Sequence, residues 1–384
     1  MELFDQKKRT DLKPANHLDD DYDFYDRSAQ PMFAKIRNLL NKWFDNYPKE
    51  DQISLKDHFK NDFQAAFFEL FIHELFKNQG FKLKPHPKVE GTTKKPDFLV
   101  NGESDDFYIE VKHASDLSEQ DNSHEKRKAL LYDEINKIES PDFFLHIRDL
   151  TIKTNQQPSA KKVIQVINNE LLRHNHDKVT EIVNKYGLDH TPRINFEDDK
   201  IDIEISLIPK SPESRGKIGT RPIGIYPGEF SWGGAEDAIK KAIENKATRY
   251  GNLNLPYLIC INSTSRKWTD DEDVMNALFG SLQVTVSTDL SNKKEKWSRA
   301  YDGVFLDTRG PKFTRVSGIL ITNVYPSNLH VANHWLVKHP FASKDLNFDD
   351  IYLSRIEVIE NKIESITGKN IKDILTVPDD WFVY

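Results

Sequence analysis

One cysteine, Cys260, stands in a chain of 384 residues, which excludes any intramolecular disulfide framework and fits a reducing compartment. It lies inside the apolar run Leu258-Ile259-Cys260-Ile261 and reads as a buried core thiol. No apolar run reaches the length of a membrane span. The opening MELFDQKKRTDLK lacks the basic-then-apolar layout of a secretory signal, so the expectation is a cytoplasmic protein with no membrane partner. An excess of positive charge is also missing. Lys and Arg number 54 against 61 Asp and Glu, a formal net charge of −7. That argues against coating nucleic acid through bulk charge, but not against a locally basic groove. Gly216 to Gly224 lacks the Gly-Lys-Ser/Thr ending of a phosphate loop, which speaks against an ATPase. The thirteen histidines form no Cys-rich or His-Glu-x-x-His arrangement, which speaks against zinc. His330 and His334 would share a face only if that segment were helical, and it reads equally well as a loop.

What is present is enough apolar side chain, 38% of residues, to bury a sizeable core beneath a surface rich in charge. The length suggests two lobes, or one core with a large insertion. Residues 1–30 read as an acidic, loosely ordered arm around Asp19, Asp20, Asp21 and Asp23, with Tyr22, Phe24 and Tyr25 able to dock. Residues 31–113 read as helices plus a hairpin, 114–230 as an α/β insertion, and 231–384 as a core-completing helix and strand with a C-terminal extension. In the second block, 61–79 is apolar around most of its circumference, which predicts a buried helix closed by Gly80. Glu69 and Glu74 interrupt it. A buried carboxylate needs a partner or a metal, so both are candidates, although Glu74, nearer the polar end, reads better as an exposed charge. Further on, 81–89, 97–100, 107–113, 143–150, 201–208, 256–262, 301–306 and 317–324 read as strands. Segments 123–138, 159–173, 235–250, 271–279 and 351–367 read as helices, and 210–228 as a loop.

The informative stretch is Lys95 to His113, KPDFLVNGESDDFYIEVKH. Alternation puts Phe107, Ile109 and Val111 on one face of a strand and Tyr108, Glu110 and Lys112 on the other. Acid-x-lysine spacing alone means little, because it also occurs at Asp5/Lys7, Asp11/Lys13, Asp198/Lys200, Glu244/Lys246 and Glu360/Lys362. Context sets Glu110/Lys112 apart. Pro96-Asp97 precedes it on the neighbouring strand, and a hairpin of that length lets Asp97 and Glu110 converge. Two carboxylates with water suit Mg²⁺, and Lys112 could polarise a water or steady a phosphodiester.

A helix with a buried Glu, then Pro-Asp, then Glu-x-Lys resembles the PD-(D/E)XK, or restriction-endonuclease-like, superfamily over roughly residues 60 to 113. The resemblance implies an α/β fold of α+β type, a mixed sheet flanked by helices. It implies Asp97, Glu110 and the Val111 carbonyl as ligands of Mg²⁺ or Mn²⁺, Glu69 as a supporting ligand, and Lys112 as the catalytic lysine. The activity implied is hydrolysis of nucleic acid, DNA ahead of RNA, in restriction, phage defence or repair, with a homodimer or a defence-system protein as partner. The core-completing helix and strand are either 123–138 with 143–150 or 235–250 with 256–262, the second pair being preferred for its uniformly apolar strand.

Two basic clusters are candidate nucleic-acid contacts: Arg215, Lys217 and Arg221, and Arg309, Lys312 and Arg315. Each reads equally well as a solvated loop. Trp232, Trp268, Trp297 and Trp335 could stack on bases, with burial the default. Two rival readings stand beside the enzyme. One is a catalytically silent nucleic-acid-binding module of the same fold, and the other a protein-interaction module that docks through the acidic arm.

Overall fold

A computed structural model describes residues 1–114, 119–217, 221–227, 235–264, 269–286 and 295–382. Trp232, Gly233, Gly234 and Trp268 lie outside them. The chain divides into two compact units, Met1–Lys13 with Asp20–Asp116 and Trp232–Tyr384, and Pro14–Asp19 with Leu117–Ser231. The class is mixed α/β. No helix among the described residues is long and apolar enough to cross a membrane.

The larger unit is built on one eight-stranded mixed sheet whose spatial order follows the chain. Its strands are β1 (Lys82–Pro85), β2 (Phe98–Asn101), β3 (Asp106–Ala114), β4 (Tyr257–Ser263), β5 (Gly318–Thr322), β6 (His334–Lys338), β7 (Arg355–Ile359) and β8 (Lys362–Ile366). β2 and β3 form an antiparallel hairpin, and β3 runs parallel to β4, with Glu110 beside Ile259 and Lys112 beside Ile261. Every residue of β4 is buried, as a strand covered on both faces requires. The partner of β3 is therefore the uniformly apolar strand that follows the Ala235–Ala247 helix, and the 143–150 strand belongs to the other unit.

Four helices precede the sheet: α1 (Asp21–Arg27), α2 (Pro31–Asn46), α3 (Gln52–Asn61) and α4 (Phe63–Lys77). Asp62 caps α4 by accepting from the Ala65 amide at 3.1 Å. Phe67, Phe68, Leu70, Phe71 and Ile72 are fully buried, and with Phe98 and Ile109 they form the core on one sheet face. The opposite face is covered by α5 (Ala235–Ala247) and α6 (Asp271–Phe279), through Ile239, Ile243, Val274 and Leu278 against Ile259, Ile261 and Ile319.

Several expectations are corrected. The first thirty residues are not a loose arm, because Leu3 and Phe4 are buried in the core. Tyr22 donates to the Leu3 carbonyl at 2.7 Å, and Asn41 brackets the Phe4 backbone with bonds of 2.8 and 3.0 Å. The acidic run is structural in part: Asp20 caps α1, and Asp21 accepts from Gln64 at 2.7 Å. Glu74 is buried rather than exposed, with one oxygen accepting from Asn46 at 3.1 Å. The expected 351–367 helix is the β7–β8 hairpin. Isoleucines at 356, 359, 363 and 366 recur at helical spacing, yet β-branched side chains favour the strand. Glu360 and Asn361, at φ of 50° and 62°, make the two-residue turn whose twist suits a hairpin. The strand expected at 81–89 is only Lys82–Pro85, because Pro87 follows. That expected at 301–306 reduces to a short bridge at Leu306–Asp307. A separate hairpin, Leu282–Val286 with Glu295–Arg299, had no sequence expectation.

The smaller unit has a four-stranded sheet ordered Arg193–Glu197, Ile201–Pro209, Phe143–Ile152, Ile223–Ile225. The last of these falls within the segment expected to be a loop. Helices Glu119–Ile135, Lys161–Arg173 and His176–Tyr186 accompany it, and Ile147, Val163, Ile167, Ile205 and Leu207 form its own core.

Candidate active site

The β2–β3 register ends with Phe98 beside Ile109, and Asp97, the residue before it, lies close enough to Glu110 to feel its charge. Two like charges so close repel. The backbone nevertheless holds them there. The Val111 amide donates to Asp97 Oδ2 at 2.6 Å, and the His86 amide donates to the Asp97 carbonyl at 2.9 Å. His86 adopts φ of 46°, a left-handed conformation that a non-glycine residue takes up only when its surroundings enforce it. Burial and the charge of Glu110 push the Asp97 carboxyl up to about 7, against the pull of Lys246 and of the Val111 amide.

Glu110 is wholly buried, and its partners come from α5 and the turn after it. Lys246 Nζ pairs with Oε1, with Arg249 Nε at 3.5 Å from the same oxygen. The Tyr250 hydroxyl lies 2.5 Å from Oε2 and 2.7 Å from the Lys95 carbonyl, its single proton shared between the two acceptors. Burial and the bond to Glu110 push the Tyr250 phenol well above its usual range.

Glu69 reaches the same end of the sheet from α4. Its Oε1 accepts from Tyr47 at 2.7 Å, and its Oε2 lies 3.2 Å from His58 Nδ1. The bond to Glu69 raises the His58 pKa, against burial, with Asp62 and Asp97 adding to the rise.

A cleft of about 640 Å³ opens over these groups. His58, Asp62, Glu69, Asp97, Val111, Lys112, His113, Lys241, Asn245 and Lys246 all contribute to its lining. Lys112 is exposed and makes no ion pair among the described residues. His113 bonds to Thr264 Oγ1, and burial lowers its pKa. The cleft thus combines carboxylates at its floor with three lysines around them.

Among the described residues no three His, Cys, Asp or Glu side chains gather into a metal cluster. Glu69 is expected to support the ion rather than to anchor it. Its two oxygens are already engaged by Tyr47 and His58. Both oxygens of Glu110 are likewise engaged, by Lys246 and Tyr250, so a small hard cation, which binds through one or two carboxylates and keeps its waters, would first meet Asp97. Asp97 keeps one oxygen without a hydrogen bond among the described residues, and burial followed by the charge of Glu110 raises its pKa.

None of the six expected nucleic-acid contacts lines this cleft. Arg215 pairs with Asp142 and Asp177 at 2.8 and 3.1 Å, and Arg221 has a buried Nη2 with no hydrogen bond among the described residues, both in the smaller unit along with Lys217. Arg309 pairs with Asp307 at 2.9 Å, Lys312 with Glu244 at 3.2 Å, and Arg315 donates to the Tyr250 carbonyl at 3.0 Å. The last two tie their loop to the segment that holds Glu110. Trp297 is exposed and Trp335 buried. His334 lies in β6, so it shares no helical face with His330.

Tyr47, His58, Lys241, Lys246 and Tyr250 had no sequence expectation as site residues. Lys246 carried a faint signal as the lysine of a second acid-x-lysine pair, Glu244/Lys246, but nothing marked it as a partner of Glu110. Comparison with protein-family models, curated proteins and solved structures found no match.

Proposed function

We propose that the protein is a metal-dependent phosphodiesterase acting on nucleic acid, DNA ahead of RNA. One observation carries the reading: Asp97 lines a cleft beside the buried Glu110, whose charge it feels, and the same cleft presents Lys112, which makes no ion pair among the described residues. Like-charged carboxylates are not brought together for stability, and groups with perturbed pKa values in a cleft mark functional sites. Asp97 and Glu110 would hold Mg²⁺ or Mn²⁺, which when bound supplies Lewis-acid stabilisation and a more acidic water. Lys112, compact in charge and free to move, would meet the phosphate and offset negative charge that grows on it. Lys241 and Asn245, one helical turn apart on α5, would hold the flanking backbone.

Purified protein incubated with plasmid and short RNA in Mg²⁺ or Mn²⁺ tests the reading. Metal-dependent cutting that Asp97→Asn and Lys112→Ala each reduce is expected, and cutting undiminished by Lys112→Ala would sink the mechanism. The Lys246–Glu110 pair specifically favours a second reading, a nucleic-acid-binding module without turnover. Gel retention unaffected by Asp97→Asn, with no cutting under either metal, would select it.

A further inference from the structure

We infer that Lys246 is the resident counter-ion of Glu110, and that a divalent cation can use this carboxylate only when the Lys246 ammonium leaves it. The inference rests on the nuclease reading for its biological meaning, while its test reads metal binding directly.

Glu110 is wholly buried, and both of its oxygens are engaged, Oε1 by Lys246 and Oε2 by Tyr250. A carboxylate in that position is not tolerated alone, and α5 with its following turn supplies the compensation. Lys246 lines the cleft and its side chain is 12% exposed, whereas Glu110 is absent from the cleft wall. A cation arriving from the cleft therefore meets the ammonium before it meets the carboxylate. The two positive charges compete for one oxygen in a poorly solvated place, where repulsion between them is strong.

The other groups around Lys246 define how the exchange proceeds. Arg249 stays 3.5 Å from Oε1, and Tyr250 keeps Oε2, so Glu110 is not left bare when Lys246 departs. Lys246 has a flexible stem and an open cleft beside it, in which a phosphate of the substrate offers a replacement anion. Substrate and metal then assist each other's binding, and by linkage the assistance is reciprocal. Without nucleic acid the site favours its own lysine, which limits metal uptake until substrate arrives.

Calorimetric titration with Mn²⁺ alone, on the full chain without nucleic acid, tests this. Lys246→Gln is expected to bind Mn²⁺ at least about tenfold more tightly than wild type, while Lys246→Arg, which keeps the charge, stays near wild type. Adding Glu110→Gln to Lys246→Gln is expected to abolish the gain. Equal or weaker Mn²⁺ binding by a folded Lys246→Gln protein overturns the inference. Should Lys246→Gln not fold, amine labelling of wild type read by mass spectrometry decides instead. Mn²⁺ raised until calorimetry shows the wild-type site saturated is expected to make Lys246 several-fold more reactive, and unchanged labelling at saturation overturns the inference. Failure of the nuclease reading looks different. A Lys246→Gln gain in Mn²⁺ affinity with no cutting of plasmid or RNA keeps the counter-ion and removes the nuclease. Cutting by wild type with equal Mn²⁺ affinity in both proteins does the reverse.

Discussion

Replacing Asp97 with asparagine should stabilise the protein, and by more at higher pH. The Asp97 carboxyl is pushed from 3.8 to about 7 by burial and by Glu110. A carboxyl with a raised pKa binds its proton more tightly in the folded than in the unfolded chain. Folding stability therefore falls as pH rises between those two values, and the full penalty is present above pH 7. At about 1.4 kcal/mol per unit, a rise of about three units corresponds to about 4 kcal/mol. Asp97 borders the cleft, so water screens part of this, and about 2 kcal/mol is the working figure. Asparagine keeps an oxygen to accept from Val111 but carries no charge. Thermal unfolding without divalent metal, at pH 4 and pH 8, measures the effect. The variant should melt about 3 °C above wild type at pH 8 and close to wild type at pH 4. The difference between the two proteins matters, because other carboxylates titrate in both. A variant destabilised equally at both pH values would show that Asp97 is an ordinary hydrogen-bonded turn residue, and would remove the physical basis of the site.

Four further outcomes are expected. Lys112→Ala, at an exposed and unpaired position, should change stability by no more than about 0.5 kcal/mol in denaturant melts, while reducing cutting by about a hundredfold or more. Tyr250→Phe leaves Glu110 Oε2 without its hydroxyl partner and should destabilise by about 1–3 kcal/mol in the same melts. Glu69→Gln should lower the His58 pKa, followed by the ring proton shifts in an NMR titration, because the bond to Glu69 is the leading cause of its rise. Asn361→Gly should raise the melting temperature slightly, by up to about 1 kcal/mol in stability, since glycine suits the positive φ there. A helix at that position would instead be weakened by glycine.

The parts of the fold that could be read from the residues are those in which local pattern and tertiary demand agree. The Phe63–Lys77 helix is apolar nearly all round, and Tyr257–Ser263 is a uniformly apolar strand, so each admits few environments. The C-terminal hairpin misleads because its isoleucines recur at helical spacing, and the positive φ values of Glu360 and Asn361, which make the turn, are not visible in that spacing. The N-terminal arm misleads for a different reason. Its acidic composition suggests solvation, but Leu3 and Phe4 are few and decisive, and composition averages them away.

Sequence distance divides the site in the same way. Asp97, Glu110 and Lys112 lie within sixteen residues, and a short hairpin brings them together almost whatever the rest of the chain does. Lys246 meets Glu110 across 136 positions, and no local pattern encodes that meeting. It arises because β3 lies beside β4, and the helix entering β4 must pack over the face that Glu110 occupies. The hairpin thus supplies the charges of the site, and the long connection supplies what neutralises them. A hairpin alone would bury an uncompensated carboxylate, so the strand pair that brings Asp97 and Glu110 together depends energetically on a helix encoded more than a hundred residues later.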